Sequence, residues 1–270
     1  MNDQSNDPGS APADGRLEQA LGYIRNQRKQ LEQLRNRVAR LEGVLDYCLG
    51  DEKGIWLWRN RSERMDPNVP IYDPLRAAFH LSRYEFAAGF ARERTVADIA
   101  CGTGYGCQVL SEKGHANSVT GFDICPQTIE YARSRYQSEE RQVQFKVAPA
   151  ESINSPGKHF DLVTSFETIE HVESPETIFE EIARILKPDG IFICSTPNQW
   201  PLEIATHHRI VLDYNRFYQL LSSQFRIAAV YNQNSGTDWE FNHDQPAGHV
   251  LTTPSNQHLA ECFIAVCEMA

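Results

Sequence analysis

Two groups of residues in this sequence have the types and spacing to do chemistry. The first is the run VADIACGTGYG from Val96 to Gly106, a glycine-rich loop with Asp98 four places ahead of Gly102. Glycines at a strand-to-helix junction let the backbone approach a ligand closely and adopt positive φ. A dinucleotide site would ask for G-x-G-x-x-G, with a pyrophosphate on the helix N-terminus. Counted from Gly102, the third slot is Cys107, and Asp98 would repel a pyrophosphate. An acid there suits a ligand carrying an ammonium and a sulfonium instead. Asp123 ends the following run, VTGFD, nineteen residues beyond Gly104. A carboxylate at that place can accept both hydroxyls of a ribose. The plainer alternative is a chance turn followed by a surface Asp.

The second group is Phe166-Glu167-Thr168-Ile169-Glu170-His171. It follows an apolar run, so its side chains line the crevice beyond the carboxyl edge of a sheet. Glu167 and Glu170 stand i, i+3, and one helical turn would place both carboxylates on one face with His171 alongside. Were the ligand a methyl sulfonium, this edge would have to align an acceptor oxygen in line with it, exclude water and make that oxygen nucleophilic. Glu167, Glu170 and His171 are the candidate catalytic residues. With His207 or His208 they would also suit Mg2+ or another divalent cation. Three readings stay open here: a metal site, a metal-free site with His171 as general base, and a structural role in which these side chains bond nearby backbone. His207 and His208 can equally be surface or substrate-loop residues. Asn198 can orient a substrate or form an Asx turn after Pro197. The loop Asn232–His249, with Trp239 and Phe241, can cap an acceptor or lack structure.

Short apolar runs that could hold these groups lie at Thr95–Ala100, Ser118–Phe122, Val143–Val147, Asp161–Ser165 and Ile191–Ser195, separated by helical patterns. That alternation predicts an α/β fold with a mostly parallel sheet covered by helices on both faces. Phe225–Tyr231 and Cys262–Val266 bring the expected strands to seven. Pro126 opens one helix, Ser174 caps another, and Lys187-Pro188-Asp189-Gly190 turns the chain into the fifth strand.

Ahead of the sheet, residues 1–15 are polar and read as a disordered tail. Residues 16–46 read as a coiled-coil helix. Leu17, Leu21, Ile24, Leu31, Leu34, Val38, Leu41 and Leu45 form its seam, Arg28 fills one slot, and the consecutive steps of three from Arg28 to Leu34 act as a stammer. A homo-oligomer is expected through it, the alternative being one amphipathic helix packed on its own domain. Residues 47–92 read as a connecting segment, irregular from 46 to 75, and a helix over Pro74–Ala91. Residues 93–270 form the main domain.

The net charge of −10 is uneven, because residues 16–42 carry +4 and leave −14 on the rest. Nucleic acid is therefore not an expected partner of the main domain. The basic arm is either a solvated helix face or a surface for an acidic partner. Seven cysteines without metal spacing fit buried thiols. No apolar run reaches the ~18 residues of a membrane span, and the polar N-terminus lacks a signal-peptide pattern, so the cytoplasm is expected.

From about Glu63 to Asn198 the chain resembles the class I S-adenosylmethionine-dependent methyltransferases. RYEFA at Arg83–Ala87, ACGTGYG, SFETIEHV and STPNQ resemble a subgroup associated with glycan and other small-molecule O-methylation. E-x-x-E-H resembles the pattern of ubiquinone-pathway O-methyltransferases and small-RNA 3′-end 2′-O-methyltransferases, where those residues hold a divalent metal. The resemblance implies a Rossmann-like, doubly wound sheet. It implies S-adenosyl-L-methionine held by Asp98, Ala100, Cys101, Gly102, Gly104, Tyr105, Asp123, Ile124, Ala150, Glu151 and Phe166. Ala100 stands where the family usually has its first glycine. Arg83 and Tyr84 become candidates near the cofactor carboxylate, although core packing of Tyr84 is equally open. The implied activity is O-methylation of a sugar, glycan or other small hydroxylated metabolite. RNA 2′-O-methylation and a non-catalytic cofactor-binding scaffold are the alternatives.

Overall fold

The computed structural model describes residues 13–50, 52–61, 64–203, 207–234 and 248–270. The chain divides into two compact units, residues 1–58 and 59–270.

The first unit holds helix α1, Ala13–Gly50, followed by α2, Glu52–Arg59. Helix α1 runs past the expected 16–46 at both ends and takes in residues 13–15, which read as tail; residues 1–12 lie outside the described residues. The seam side chains from Leu17 to Leu45 stand exposed along it. Helix α2 corrects the irregular reading of 46–75. Glu52 in its first turn and Arg59 in its last complement the helix dipole. Gly54 permits the turn, since a Cβ there would lie 2.6 Å from the Tyr47 carbonyl oxygen.

In the second unit, α3 (Pro74–Ala88) starts where the Asp73 carboxylate accepts the amides of Leu75 and Arg76. Then come β1 (Thr95–Ile99), α4 (Tyr105–Glu112), β2 (Ser118–Asp123), α5 (Pro126–Tyr136), β3 (Val143–Val147), β4 (Phe160–Ser165), α6 (Pro175–Ile185), β5 (Leu186–Pro197), α7 (Tyr214–Ser222), β6 (Phe225–Asn234), β7 (Gly248–Leu251) and β8 (Cys262–Met269). Pro126 and Pro175 occupy first-turn positions where a missing N–H costs nothing. Ser174 sits at the α6 N-cap without a side-chain bond.

The sheet has eight strands, not seven, in the order β3-β2-β1-β4-β5-β8-β6-β7. The first five are parallel; β8 runs antiparallel to β5 and β6, and β7 antiparallel to β6. Strand β7 spans four residues beside a polar loop, too short for a period-2 pattern to show. The Lys187–Gly190 turn is absorbed into β5 as an irregularity, where the β4–β5 register shifts between Phe160 and Leu162. Neighbouring strand residues fall into two apolar clusters, Phe192 and Phe263 in one, Ile193 and Ile264 in the other. Alternate residues face opposite sides of a sheet, so each face carries its own core. Strand order reverses between β1 and β4, which opens a crevice beyond their carboxyl ends. Both chemical groups sit there. Among the described residues no helix is long and apolar enough to cross a membrane.

Candidate active site

The loop after β1 combines three positive φ values, at Ala100 (58°), Gly102 (54°) and Gly104 (90°). A Cβ on Gly102 would meet nothing within 4 Å, so this side of the loop is open to a ligand. The other two loop glycines are needed for packing. A Cβ on Gly104 would lie 2.8 Å from Ala132 and Phe145, and one on Gly106 would lie 2.1 Å from the Tyr84 ring.

Asp123 is held at the end of β2 by two backbone donors, Gly102 N–H to Oδ2 (3.1 Å) and Cys125 N–H to Oδ1 (2.9 Å). Ile124 follows it, exposed beside the loop. Asp98 does not reach the crevice. It is fully buried beneath the loop and accepts Tyr84 OH (3.0 Å), Thr164 Oγ1 (2.7 Å) and the Cys107 thiol (3.6 Å). Burial pushes its carboxyl up to about 7, against the pull of those three bonds. Cys107, in the slot of a third glycine, thus has a packing reason: its sulfur and that of Cys101 close over Gly121, whose Cβ would lie within 2.9 Å of both. Tyr84 is buried, with Tyr105 and Phe166 edge-on to its ring at 5.1 and 4.9 Å. Of its two sequence readings the structure shows core packing. Ala150 and Glu151 lie beyond the end of β3, half-buried and exposed respectively.

Beyond β4 the expected helical turn shrinks to one 3-10 turn, Ile169–His171. Glu167 precedes it at φ 50°, a left-handed position unusual for Glu. Its amide donates to Ser195 Oγ (3.1 Å), and that hydroxyl donates back to Glu167 Oε1 (2.9 Å). Arg83 NH1 stands 3.6 Å from the same oxygen. Arg83 is itself buried, donating to Gln233 Oε1 (2.6 Å) and lying over the Phe79 ring. Burial opposes its charge, yet the Glu167 carboxylate leaves it raised overall. Arg83, proposed from the resemblance for a cofactor carboxylate, is therefore the partner of Glu167.

Glu170 is 2% exposed, with Thr196 Oγ1 at 3.5 Å from Oε2; among the described residues Oε1 has no hydrogen bond and faces His171 Nε2 at 3.8 Å. Burial, then the charge of Glu167, raises its carboxyl well above the usual range. Glu170, His171 and His208 offer ligand atoms all within 4.8 Å of one another. The structure leaves Glu167 and the His207 imidazole out of that cluster. His207 contributes its carbonyl oxygen, 3.1 Å from His171 Nδ1. A carbonyl only accepts, so Nδ1 carries the proton and Nε2 presents a lone pair. His208 is lowered by burial and then by His171. Asn198 donates to the Ala260 carbonyl (2.9 Å) and is buried, so it joins β5 to the start of β8. Trp239 and Phe241 lie outside the described residues. Ser195 and Gln233 were missed in the sequence: Ser195 ends the apolar run of β5, and Gln233 stands in the polar Asn232-Gln233-Asn234 end of β6, which reads as loop.

Residues 97–194 match the protein family described as a methyltransferase domain. That stretch holds the glycine loop, Asp123 and Glu167–His171. It is 32% identical over 143 residues to a ubiquinone biosynthesis O-methyltransferase of Xanthomonas euvesicatoria, covering 52% of this chain and 56% of that one. With the enzyme of the same name from Chelativorans it shares 29% over 151 residues, 53% and 58% of the two chains. The matched region spans about half the length of these relatives. Among solved structures, an S-adenosylmethionine-dependent methyltransferase from Mesorhizobium loti superposes with a TM-score of 0.54 at 18% identity, over 72% of this chain and 99% of that one. At that identity the likeness speaks for the methyltransferase fold alone.

Proposed function

We propose that this protein transfers a methyl group from S-adenosylmethionine to a hydroxyl of a small acceptor, a sugar, glycan precursor or other hydroxylated metabolite. The observation that carries the reading is the meeting of Glu170, three residues past Glu167, with His171 and His208 at the carboxyl edge of the sheet that also carries the open glycine loop. The O-methyltransferase names of the curated relatives support oxygen as the accepting atom.

On this reading the backbone of Gly102 to Gly104 holds the methionine portion of the cofactor and Asp123 the ribose. Ile124, Phe166 and Ala150-Glu151 flank the adenine. Tyr105, Cys101 and Ala100 shape the loop, and Asp98 anchors it from below through Tyr84 and Thr164. Glu170, His171 and His208 fit a divalent cation such as Mg2+, because Glu170 Oε1 is buried without a hydrogen bond and faces His171 Nε2 at 3.8 Å, the ring nitrogen that Nδ1 leaves to accept. A bound cation would favour the deprotonated acceptor hydroxyl. His171 Nε2 is also placed to take that proton itself, its side chain being 40% exposed beside a fixed Nδ1. Glu167, braced by Arg83 and Ser195, offers a carboxylate oxygen to orient the hydroxyl. The exposed seam of α1 supports self-association as a coiled coil, and the −14 charge outside residues 16–42 disfavours RNA as acceptor.

The test is a screen with S-adenosylmethionine tritiated in its methyl group, offered sugars, phenolic quinone precursors and RNA, with Mg2+ or with chelator. Label should enter hydroxylated small molecules. Labelling of RNA alone, or of no acceptor in any condition, would overturn the proposal.

A further inference from the structure

Arg64–Tyr72 carries no recognisable motif, yet it is bonded to both halves of the donor cleft. Arg64 Nε donates to Thr128 Oγ1 (3.1 Å), in the first turn of α5 and five residues beyond Asp123. The next residue, Met65, accepts the hydroxyl of Thr103 on its carbonyl. Thr103 is the residue between Gly102 and Gly104. Two consecutive residues therefore touch the ribose end and the methionine end of the loop system.

What holds this stretch in place is Asp66. Its carboxylate is fully buried, which is unfavourable unless hydrogen-bonded and paired. Oδ2 accepts Tyr131 OH (2.9 Å) and Tyr136 OH (2.6 Å) from α5, with Arg135 Nε at 3.5 Å. Oδ1 accepts the Asn68 amide (2.9 Å), which curls the chain back on itself. Tyr72 closes the far end by donating its hydroxyl to the Arg64 carbonyl. The loop it faces has positive φ at Ala100, Gly102 and Gly104. A conformation of that kind persists only where its surroundings over-determine it. The Thr103–Met65 bond is one such constraint, and it comes from outside the glycine motif.

We propose that Asp66 is a positioning residue for the cofactor: pinned to α5, it makes Arg64–Tyr72 the third wall of the S-adenosylmethionine cleft, beside the glycine loop and the Asp123 end of β2. This inference rests on the methyltransferase reading above. The wall holds the loop in its binding shape and must give way before the nucleoside leaves, so its loss acts first on the dissociation rate. The tyrosines that set it stand on α5, away from the ligand.

Dissociation of S-adenosylhomocysteine from the full chain, followed by chase with excess unlabelled ligand, tests this. Tyr131→Phe/Tyr136→Phe removes both hydroxyl donors, and Asp66→Asn keeps the side chain's size. Charge-assisted bonds are lost in each, so release is expected to quicken by about tenfold or more. Hydrogen exchange at residues 65–72 should then no longer slow when the ligand is added. Release at the wild-type rate in both variants, with residues 65–72 exchanging faster than in wild type, would overturn the wall. If the wild-type chain binds no S-adenosylhomocysteine at all, the methyltransferase reading fails, and the wall falls with it.

Discussion

At the donor end of the crevice, Asp123 receives two backbone amides, and Asp98 receives Tyr84, Thr164 and Cys107 from below. At the other end, Glu170 keeps a buried oxygen without a hydrogen bond, 3.8 Å from His171 Nε2. The carboxylates of the first end are hydrogen-bonded on both oxygens, whereas the second end leaves one buried carboxylate oxygen unbonded. Preorganised backbone can bind a cofactor that is the same in every turnover. An unsatisfied buried group is where an acceptor or cation would add what the chain lacks.

The contrast can be attacked from several sides. The largest expected effect concerns Asp98. In the folded chain it holds its proton up to about 7, whereas the unfolded chain releases it near 3.8. Unfolding therefore releases a proton between these values, and stability present below the lower one is lost as pH rises through the upper. At ~1.4 kcal/mol per pH unit the loss approaches about 4 kcal/mol. Urea denaturation of the wild type from pH 4 to 8 should show this fall, and Asp98→Asn should flatten it. A flat wild-type profile would mean that Asp98 is ionised beneath the loop.

Next is Arg83→Met, which leaves Glu167 without its cation and Gln233 with an unpaired oxygen. Breaking a buried pair in this way should cost about 3 kcal/mol in denaturant unfolding. S-adenosylhomocysteine affinity should stay within about twofold, because sites without shared partners are close to additive. A large loss of cofactor affinity would place Arg83 at the donor end after all.

Glu170→Gln should weaken Mn2+ binding, followed by electron spin resonance of the free ion, by about 100-fold. Its unfolding midpoint should rise slightly, since a carboxylate raised by burial is replaced by a neutral amide. Equal Mn2+ binding in wild type and variant would remove the cation from the account. Smallest is Ala100→Gly: relief of the left-handed φ and the added freedom of the unfolded chain nearly offset, leaving a change below about 1 kcal/mol.

The same contrast sets how much the sequence reveals. The parallel half of the sheet was legible because its strands are short apolar runs bounded by turns, and Gly102, Gly104 and Asp123 were legible because spacing along one chain segment fixes their relation. The acceptor end depends on side chains that converge from distant segments. Arg83, Ser195 and Gln233 meet around Glu167 from α3, β5 and β6, and no local period announces that. The i, i+3 spacing of Glu167 and Glu170 suggested one shared helical face, but the turn begins only at Ile169 and sends the two carboxylates to different partners. Strand β7 and helix α2 were missed because each is short and lies among polar or Gly-containing residues.

The most direct measurement is calorimetric titration of S-adenosylmethionine into the full chain, wild type and Asp123→Ala, without added metal. A single site is expected in the wild type and a loss of at least about 100-fold in the variant, since both ribose hydroxyls lose a charged acceptor. Undetectable binding to the wild type, or equal binding to both chains, would contradict a cofactor site at Asp123.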